Sequence, residues 1–599
     1  MIFIILTNVF AVYTPQLIRE AVDFLKHAAD AGGDLTGNEV AQVDLPFSLL
    51  WLSKLTGGNE TFYSLTSGSF YATIVKVALL LGVLYIVIYA IKGIFSFMTR
   101  QTIIIMSRLI EFDLKNEVYD HYQKLDVSFY KRNNTGDLMN RISEDVSKVR
   151  MYVGPAVMYT LNLFFLIIIV VSVMAYIDWE LTLWALAPLP LMSLGIYYVS
   201  SMINKRSERA QRQQSKLSSI VQETISGVRV LKAYTREDSQ REFFKRESDS
   251  YKTRILDQVK VDALFLPIIV LLVGLSTVLT IYIGGMKVIN EGMEMGTIFS
   301  FVFYVNMLTW PFASVGWVTS LVQKAEASQK RINEFLETEP EIKNANENLT
   351  ELKGDLEFSN VSFTYPDSGI KAIDNLSFKI KKGQTLAITG RTGSGKSTLA
   401  NLLLRMYDSE NGLLKIDGKP IAELNLYHLR KQIGYVPQDV FLFSDTIQNN
   451  IGFGVNDATE AQIVNAAKSA DIHENILKFE HGYQTLLGER GINLSGGQKQ
   501  RISIARAILK DPQILIFDDC LSAVDTETEE KILDSLKSLM KDKTSVIVSH
   551  RVSSIKHADV ILVLDEGKLI EQGTHDSLIK QEGVYAELHQ KQLLEERAA

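Results

Sequence analysis

Three segments in the second half of the chain carry side chains suited to phosphate chemistry. The first, GRTGSGKST (Gly390 to Thr398), fits the pattern G-x-x-x-x-G-K-[ST]. An apolar stretch, TLAITG, leads into it, and STLANLLLRMY, with helical spacing, leads out. In that strand–loop–helix setting Gly390, Gly393 and Gly395 let the backbone N–H groups of Arg391, Thr392, Ser394 and their neighbours curl around phosphate oxygens. Lys396 adds charge at the β- and γ-phosphates, and the Ser397 hydroxyl, beside Thr398, reaches Mg2+. The second segment, ILIFDD, is a buried strand that delivers Asp518 to its C-terminal end, where ligands sit in open α/β sheets. Asp518 suits a magnesium ion held through water. Asp519 follows as a second carboxylate placed to polarise an attacking water. The third, SVIVSH, is another strand, and its end puts the His550 imidazole near the γ-phosphate. The chemistry implied is hydrolysis of a nucleoside triphosphate with Mg2+.

Such residues need an α/β domain to position them, and the sequence supplies one from LEFSNVSFTYP onward, first as alternating strands and then as a strand–helix pattern. The first 325 residues differ. Six segments are long and apolar enough to cross a hydrocarbon layer: 2–25, 71–98, 151–176, 181–203, 262–284 and 296–321. The first carries Arg19, Glu20 and Asp23 in its second half. It lacks the basic leader and cleavage site of a signal peptide and reads as a membrane helix that starts abruptly. Lys and Arg crowd the stretches 99–150 and 204–260, whereas 26–70 and 177–180 nearly lack them, so the long connections and both termini face the cytoplasm. Helical spacing in EFDLKNEVYDHYQKL and SKLSSIVQETISGVRVLKAY extends the membrane helices into the cytoplasm, with crosswise turns expected at 128–143 and 234–244.

Within the spans, Asn8, Asn162 and Asn306 either line a cavity or bond across helices. Pro311 should bend the last span. Around it Tyr304, Met307, Trp310, Phe312 and Trp317 form a soft aromatic surface, suited equally to an apolar substrate and to helix packing. A net charge of −7 gives no case for nucleic acid as a partner. The single cysteine, Cys520, excludes an internal disulfide or a cysteine metal cluster and is expected to pack as a small apolar residue.

One further motif narrows the reading. LSGGQKQR (Leu494 to Arg501) resembles the signature motif of ATP-binding cassette (ABC) transporters, and it stands between the phosphate loop and ILIFDD, in family order. Ser495, Gly496, Gly497 and Gln498 begin the helical stretch QKQRISIARAIL, so the motif forms an anion-binding helix N-terminus. The resemblance implies that it closes over ATP held by a second cassette, two cassettes sandwiching the nucleotide. Tyr365, in FTYP, resembles the aromatic that stacks on adenine. Gln438, in YVPQD, resembles the glutamine that touches Mg2+ and relays to the membrane helices. GERG, 488 to 491, resembles the segment that meets the cytoplasmic turns, SAVD, 522 to 525, the loop crossing the cassette interface, and His550 the switch histidine. The pattern is that of an exporter half-transporter. It implies an α-helical membrane domain of six transmembrane helices extended into the cytoplasm (1–325), a linker (326–353), and an α/β P-loop ATPase domain with an antiparallel β-subdomain and a helical subdomain (354–599). ATP and Mg2+ are the implied cofactors, the lipid bilayer a partner, and the inner (plasma) membrane the implied location, with the cassette cytoplasmic.

The chain departs from the family at Asp519, where a glutamate normally polarises the attacking water. Aspartate is one methylene shorter, and a displacement of about 1 Å costs on the order of 100-fold in rate. The site built on this phosphate loop is therefore expected to hydrolyse ATP poorly, while the intact signature could complete a good site on another chain. That combination resembles the degenerate-site subunit of a heterodimeric multidrug exporter. The expected partner is a second half-transporter, a heterodimer rather than a homodimer, and the expected substrates are amphipathic small molecules or lipids. A homodimeric lipid flippase and an ATP-gated channel or regulator with little hydrolysis are the alternatives.

Overall fold

The computed structural model describes residues 1–33, 41–55, 62–65, 70–344, 346–520 and 526–598. It divides into two compact units, Met1–Tyr119 with Met139–Glu337, and Asp120–Leu138 with the residues from Thr338 onward. The first cytoplasmic turn therefore segregates with the second unit.

The helices of the first unit include α1 (Ile2–Gly33), α2 (Phe70–Lys124, which continues into the second unit), and, beyond the turn helix α3 (Val127–Arg132), α4 (Val146–Met151), α5 (Val157–Ile177), α6 (Trp179–Leu186), α7 (Pro188–Ser226), α8 (Val228–Ala233), α9 (Glu237–Asp262), α10 (Phe265–Glu291) and α11 (Met295–Leu336). Among the described residues six helical spans are long and apolar enough to cross a membrane. Several, up to 55 residues long, far exceed the roughly 20 residues that cross a bilayer, in keeping with the helical spacing of the basic connections. The expected turn at 234–244 is present: Tyr234, Thr235 and Arg236 separate α8 from α9, with Thr235 at φ +50°. The chain is a multi-pass membrane protein.

Tertiary contacts account for the charges in the first span. Asp23 accepts a 2.7 Å hydrogen bond from the Gly296 N–H at the start of α11, and Glu20 accepts from the Ser48 N–H at 2.9 Å. These carboxylates satisfy backbone donors at helix N-termini, that of α11 for Asp23 and that of a short helix, Phe47–Leu55, for Glu20. Asp178 does the same for α6, accepting from Leu181 N–H at 2.8 Å, and it also receives the buried Lys287 amine of α10 at 2.8 Å. Asn8 donates to Asn162 Oδ1 at 3.1 Å, so this pair bonds α1 to α5, and Asn306 turns back to its own helix at Val302 O. Two π-helical turns, Arg141–Asp145 and Tyr152–Ala156, flank α4. The first delivers the buried Asp145 to Arg331 Nε (2.9 Å) and Ser328 Oγ (2.8 Å) of α11.

In the second unit, β1 (Leu356–Thr364), β2 (Lys371–Ile380), β4 (Asn411–Ile416) and β5 (Lys419–Pro420) form an antiparallel sheet in the order β2-β1-β4-β5. The main sheet contains β3 (Thr385–Gly390), β6 (Ile433–Val436), β7 (Ile514–Asp518), β8 (Thr544–Val548), β9 (Val560–Asp565) and β10 (Lys568–Gly573), ordered β10-β9-β3-β8-β7-β6 and parallel except for β10. Its inner strands β3, β7, β8 and β9 are largely buried along their length because both faces are covered, whereas the edge strand β10 is polar and partly exposed. Ile514 and Ile516 of β7 pack with Leu386, Ile388 and helix α12 (Lys396–Leu403). Leu515 and Phe517 pack on the opposite face with α13 (Ile447–Gly452), α14 (Glu460–Ser469), α15 (Gly496–Leu509) and α16 (Thr526–Met540). Cys520 is buried in that second core, as expected. The chain closes with α17 (Val552–Ile555), α18 (His575–Lys580) and α19 (Val584–Ala598).

Candidate active site

Strand order assembles the site. β8 lies between β3 and β7, with Val548 opposite Asp518 and Val546 opposite Leu386. The C-terminal ends of three adjacent strands therefore bring together the phosphate loop after Gly390, the pair Asp518 and Asp519, and His550. This is the sheet edge at which open α/β folds hold ligands.

The loop's glycines are structurally required. Gly390 has φ +142°, and a Cβ there would lie 2.0 Å from Leu564 O. Gly395 has φ +93°, and its Cβ would lie 2.2 Å from Ala372 O. Lys396 Nζ donates to the carbonyls of Gly390 (2.9 Å) and Arg391 (2.8 Å), folded along the loop it would leave to reach a phosphate. The Ser394 hydroxyl is buried with no hydrogen-bond partner among the described residues. Ser397 Oγ donates to Asp518 Oδ1 at 2.9 Å. That pair of hard oxygen donors fits Mg2+, which takes few protein ligands and completes its shell with phosphate and water.

Burial holds the Asp518 carboxyl above the usual carboxylate range against the hydrogen bond from Ser397, and the charge on Asp519 adds to the rise. Burial, together with the charge of the nearby Asp518 carboxylate, pushes the phenol of Tyr435 on β6 up. Lys396 is shifted down by burial, opposed by Asp519 and Asp518. A raised Asp518 has a defined sign. In the ligand-free fold its ionised form carries a penalty that is full above the raised folded-state pKa, declines as pH falls below that pKa, and is gone below the ordinary pKa of the unfolded chain. Asp518→Asn is thus expected to raise the melting temperature of the ligand-free chain near neutral pH, by roughly 2–4 °C for each kcal/mol relieved. Thermal melts across pH should show that gain shrinking on acidification, while the stabilisation by Mg-ATP is lost.

Asp519 occupies the left-handed region at φ +46°, and its Oδ1 lies 2.9 Å from His550 Nδ1. Carboxylate and imidazole thus share the edge next to Lys396. Tyr365 stands at the other end of the loop, its hydroxyl 3.0 Å from Thr398 Oγ1 and its ring edge-on to Tyr407 and Phe363. Lys131 of α3 lies over the Tyr365 ring, 4.5 Å from its centre. Gln438 is exposed two residues beyond β6. Ser495 caps α15: its hydroxyl accepts from Gln498 N–H at 3.3 Å, and Gln498 Oε1 accepts from Ser495 N–H at 3.0 Å. Gly496 and Gly497 form the first turn of that helix. The SAVD segment, 522–525, lies outside the described residues.

The aromatic surface near Pro311 needs a correction at one position. Tyr304 is fully buried and its hydroxyl donates to Val12 O at 3.0 Å, so it packs as a tie between α11 and α1. Met307 packs beside that core, whereas Trp310 and Trp317 are exposed, Trp317 edge-on to Tyr159. Helix α11 runs unbroken through Pro311.

Residues 1–312 match the family described as "ABC transporter transmembrane region" and residues 373–522 match that described as "ABC transporter". The chain belongs to the ABC transporters. Similar proteins include a probable multidrug resistance ABC transporter ATP-binding/permease protein of Bacillus subtilis, 38% identical over 515 residues, 85% of this chain and 88% of that one. An ATP-dependent lipid A-core flippase of Syntrophus aciditrophicus is 36% identical over 514 residues, 86% of this chain and 85% of that one. A bacterial Atm1-family ABC exporter, solved with ATP bound, superposes with a TM-score of 0.72 at 25% identity, covering 99% of this chain and 98% of the other. This ABC transporter therefore joins a six-span membrane region to an ATPase cassette in one polypeptide, the exporter arrangement, with the cassette on the cytoplasmic side of the inner membrane. ABC exporters work as dimers.

Proposed function

We propose that this chain is the weak-site half of a heterodimeric exporter of amphipathic compounds. The observation that carries the reading is the short carboxylate of Asp519, held against His550 at 2.9 Å beside an otherwise complete phosphate site. Tyr365 stacks on adenine, the loop Gly390–Thr398 wraps the phosphates, and Ser397, Asp518 and Gln438 hold Mg2+. That ion, when bound, would neutralise negative charge on the phosphates. Ser495, Gly496, Gly497 and Gln498 present a capped helix N-terminus to the nucleotide on the partner. His550 contacts the γ-phosphate, and Asp519 orients water there from too short a reach. In this reading residues 1–325 form the membrane domain, 326–353 the linker and 354–599 the cassette. Closure of the cassettes on ATP switches the membrane cavity from inward- to outward-facing, and hydrolysis resets it.

The names of the relatives support drugs or lipids as substrates, and the exposed Trp310, Trp317 and partly buried Met307 offer them a surface. The flippases among the relatives favour a homodimeric lipid flippase as the second reading. The purified chain alone is expected to hydrolyse ATP slowly. Paired with a half-transporter that has glutamate at the equivalent position, the complex should hydrolyse ATP and move a fluorescent amphiphile in inside-out vesicles, and Asp519→Asn in this chain should leave both rates nearly unchanged. Brisk turnover by the chain alone, unaffected by Asp519→Asn, overturns the weak-site assignment.

A further inference from the structure

We infer that Gln592, on the C-terminal helix α19, is a positioning residue for the hydrolytic edge, acting through His550. Its side-chain amide binds two backbone groups that flank Arg551: Nε2 donates to His550 O at 2.6 Å, and Oε1 accepts from Val552 N–H at 2.7 Å. One amide thus bridges residues i and i+2 as an adjacent strand would, and fixes the peptide that carries the histidine. The Val552 N–H is the kind of donor that a helix start leaves unpaired, since α17 begins there, and Val552 itself is buried.

Both ends of this strut are anchored. Glu571 of β10 accepts from the N–H groups of Val584 (2.5 Å) and Tyr585 (3.1 Å) at the start of α19. The buried Tyr585 holds His575 Nδ1 at 2.8 Å through its hydroxyl. Gln592 follows Tyr585 by seven residues, two helical turns, so both project from one face. On the other side of the histidine segment, Arg551 Nη1 donates to the buried Glu529 Oε2 of α16 at 2.8 Å, and Ser554 also donates to Glu529. His550 is therefore held between α16 and α19 while its ring meets Asp519 at 2.9 Å. Freed on the α19 side, the peptide could rotate and carry the imidazole away from the carboxylate.

The inference rests on His550 serving the γ-phosphate, so the test separates the two ideas. The full chain carrying Asp519→Glu, chosen for faster turnover, is compared with the same chain carrying Gln592→Ala or Gln592→Glu, all reconstituted in lipid vesicles. Gln592→Ala should lower kcat about 10-fold, as a sub-ångström displacement does, with KM for ATP and the melting temperature unchanged. Combined with His550→Ala it should add nothing. Gln592→Glu keeps the acceptor for Val552 but loses the donor to His550, so it should lower kcat equally while the Val552 amide stays protected from hydrogen exchange. In the otherwise unaltered chain, Gln592→Ala should speed exchange at that amide. Unchanged kcat in a chain that turns over, a loss that adds fully to that of His550→Ala, or unchanged exchange at Val552 each overturns the inference. If Asp519→Glu brings no turnover, the weak-site reading fails, and the exchange measurement alone decides on Gln592.

Discussion

Replacing Asp519 with glutamate raises the ATP turnover of the purified chain by about 10- to 100-fold, the range expected when a misplaced base is moved by roughly 1 Å. The phosphate loop, the Ser397–Asp518 pair and the capped signature helix are intact, so the reach of one carboxylate is the term left to correct. A cost opposes the gain. Asp519 sits at φ +46°, a region aspartate and asparagine tolerate better than longer side chains, so glutamate there strains the backbone. That strain is smaller than a 100-fold rate effect, and the Asp519 N–H, bonded to Val548 O at 2.8 Å, keeps the peptide in place. Steady-state ATPase assays with Asp519→Asn as the floor read the change. Adding Ser495→Ala to the glutamate chain should cancel it, since in a homodimer each site needs the other copy's signature. A glutamate chain no faster than the parent would place the limitation elsewhere and remove the ground for a catalytically stronger partner.

Much of the site is legible in the sequence because its parts are local. A phosphate loop is a run of nine residues, and its strand and helix follow directly. Strand ends such as Asp518 and His550 can be read because an apolar run stops at a polar residue. The six spans are readable because bilayer thickness fixes their length. What escapes is whatever depends on which elements become neighbours. Tyr435 comes near Asp518 only because β6 pairs with β7, and nothing in IGYV announces it. Gln592 reaches His550 across 42 residues through a helix whose polar face looks ordinary. Asp23 weakens the first span as a string of letters, yet it caps a helix 273 residues away. Tyr304 fails for a related reason: helical spacing puts it on a stripe, but spacing does not say whether the stripe faces a cavity or another helix. The π-helical turns around α4 have no counterpart signal in the sequence.

Gly395→Ala should lower the affinity for Mg-ATP by about 100-fold or more, whereas Gly393→Ala, two residues away in the same motif, should lower it only about 10-fold. Both positions have positive φ, +93° and +85°, so both substitutions incur the left-handed cost of roughly 1–2 kcal/mol, which alone accounts for a factor near ten. They differ in what the added methyl meets. At Gly393 it enters open space. At Gly395 it falls 2.2 Å from the Ala372 carbonyl oxygen and 2.9 Å from Ile373 Cδ1. Ala372 belongs to β2, laddered to β1, so the carbonyl cannot yield and the loop must. Moving the loop withdraws backbone N–H groups from the phosphates, and each charge-assisted hydrogen bond lost costs about 1.5–3 kcal/mol. Titration with a fluorescent ATP analogue measures both variants, with thermal melts to show that each remains folded. Equal losses at the two positions would mean that the loop adapts around Gly395, and that its grip on the nucleotide comes from Lys396 and the metal rather than from a rigid backbone cradle.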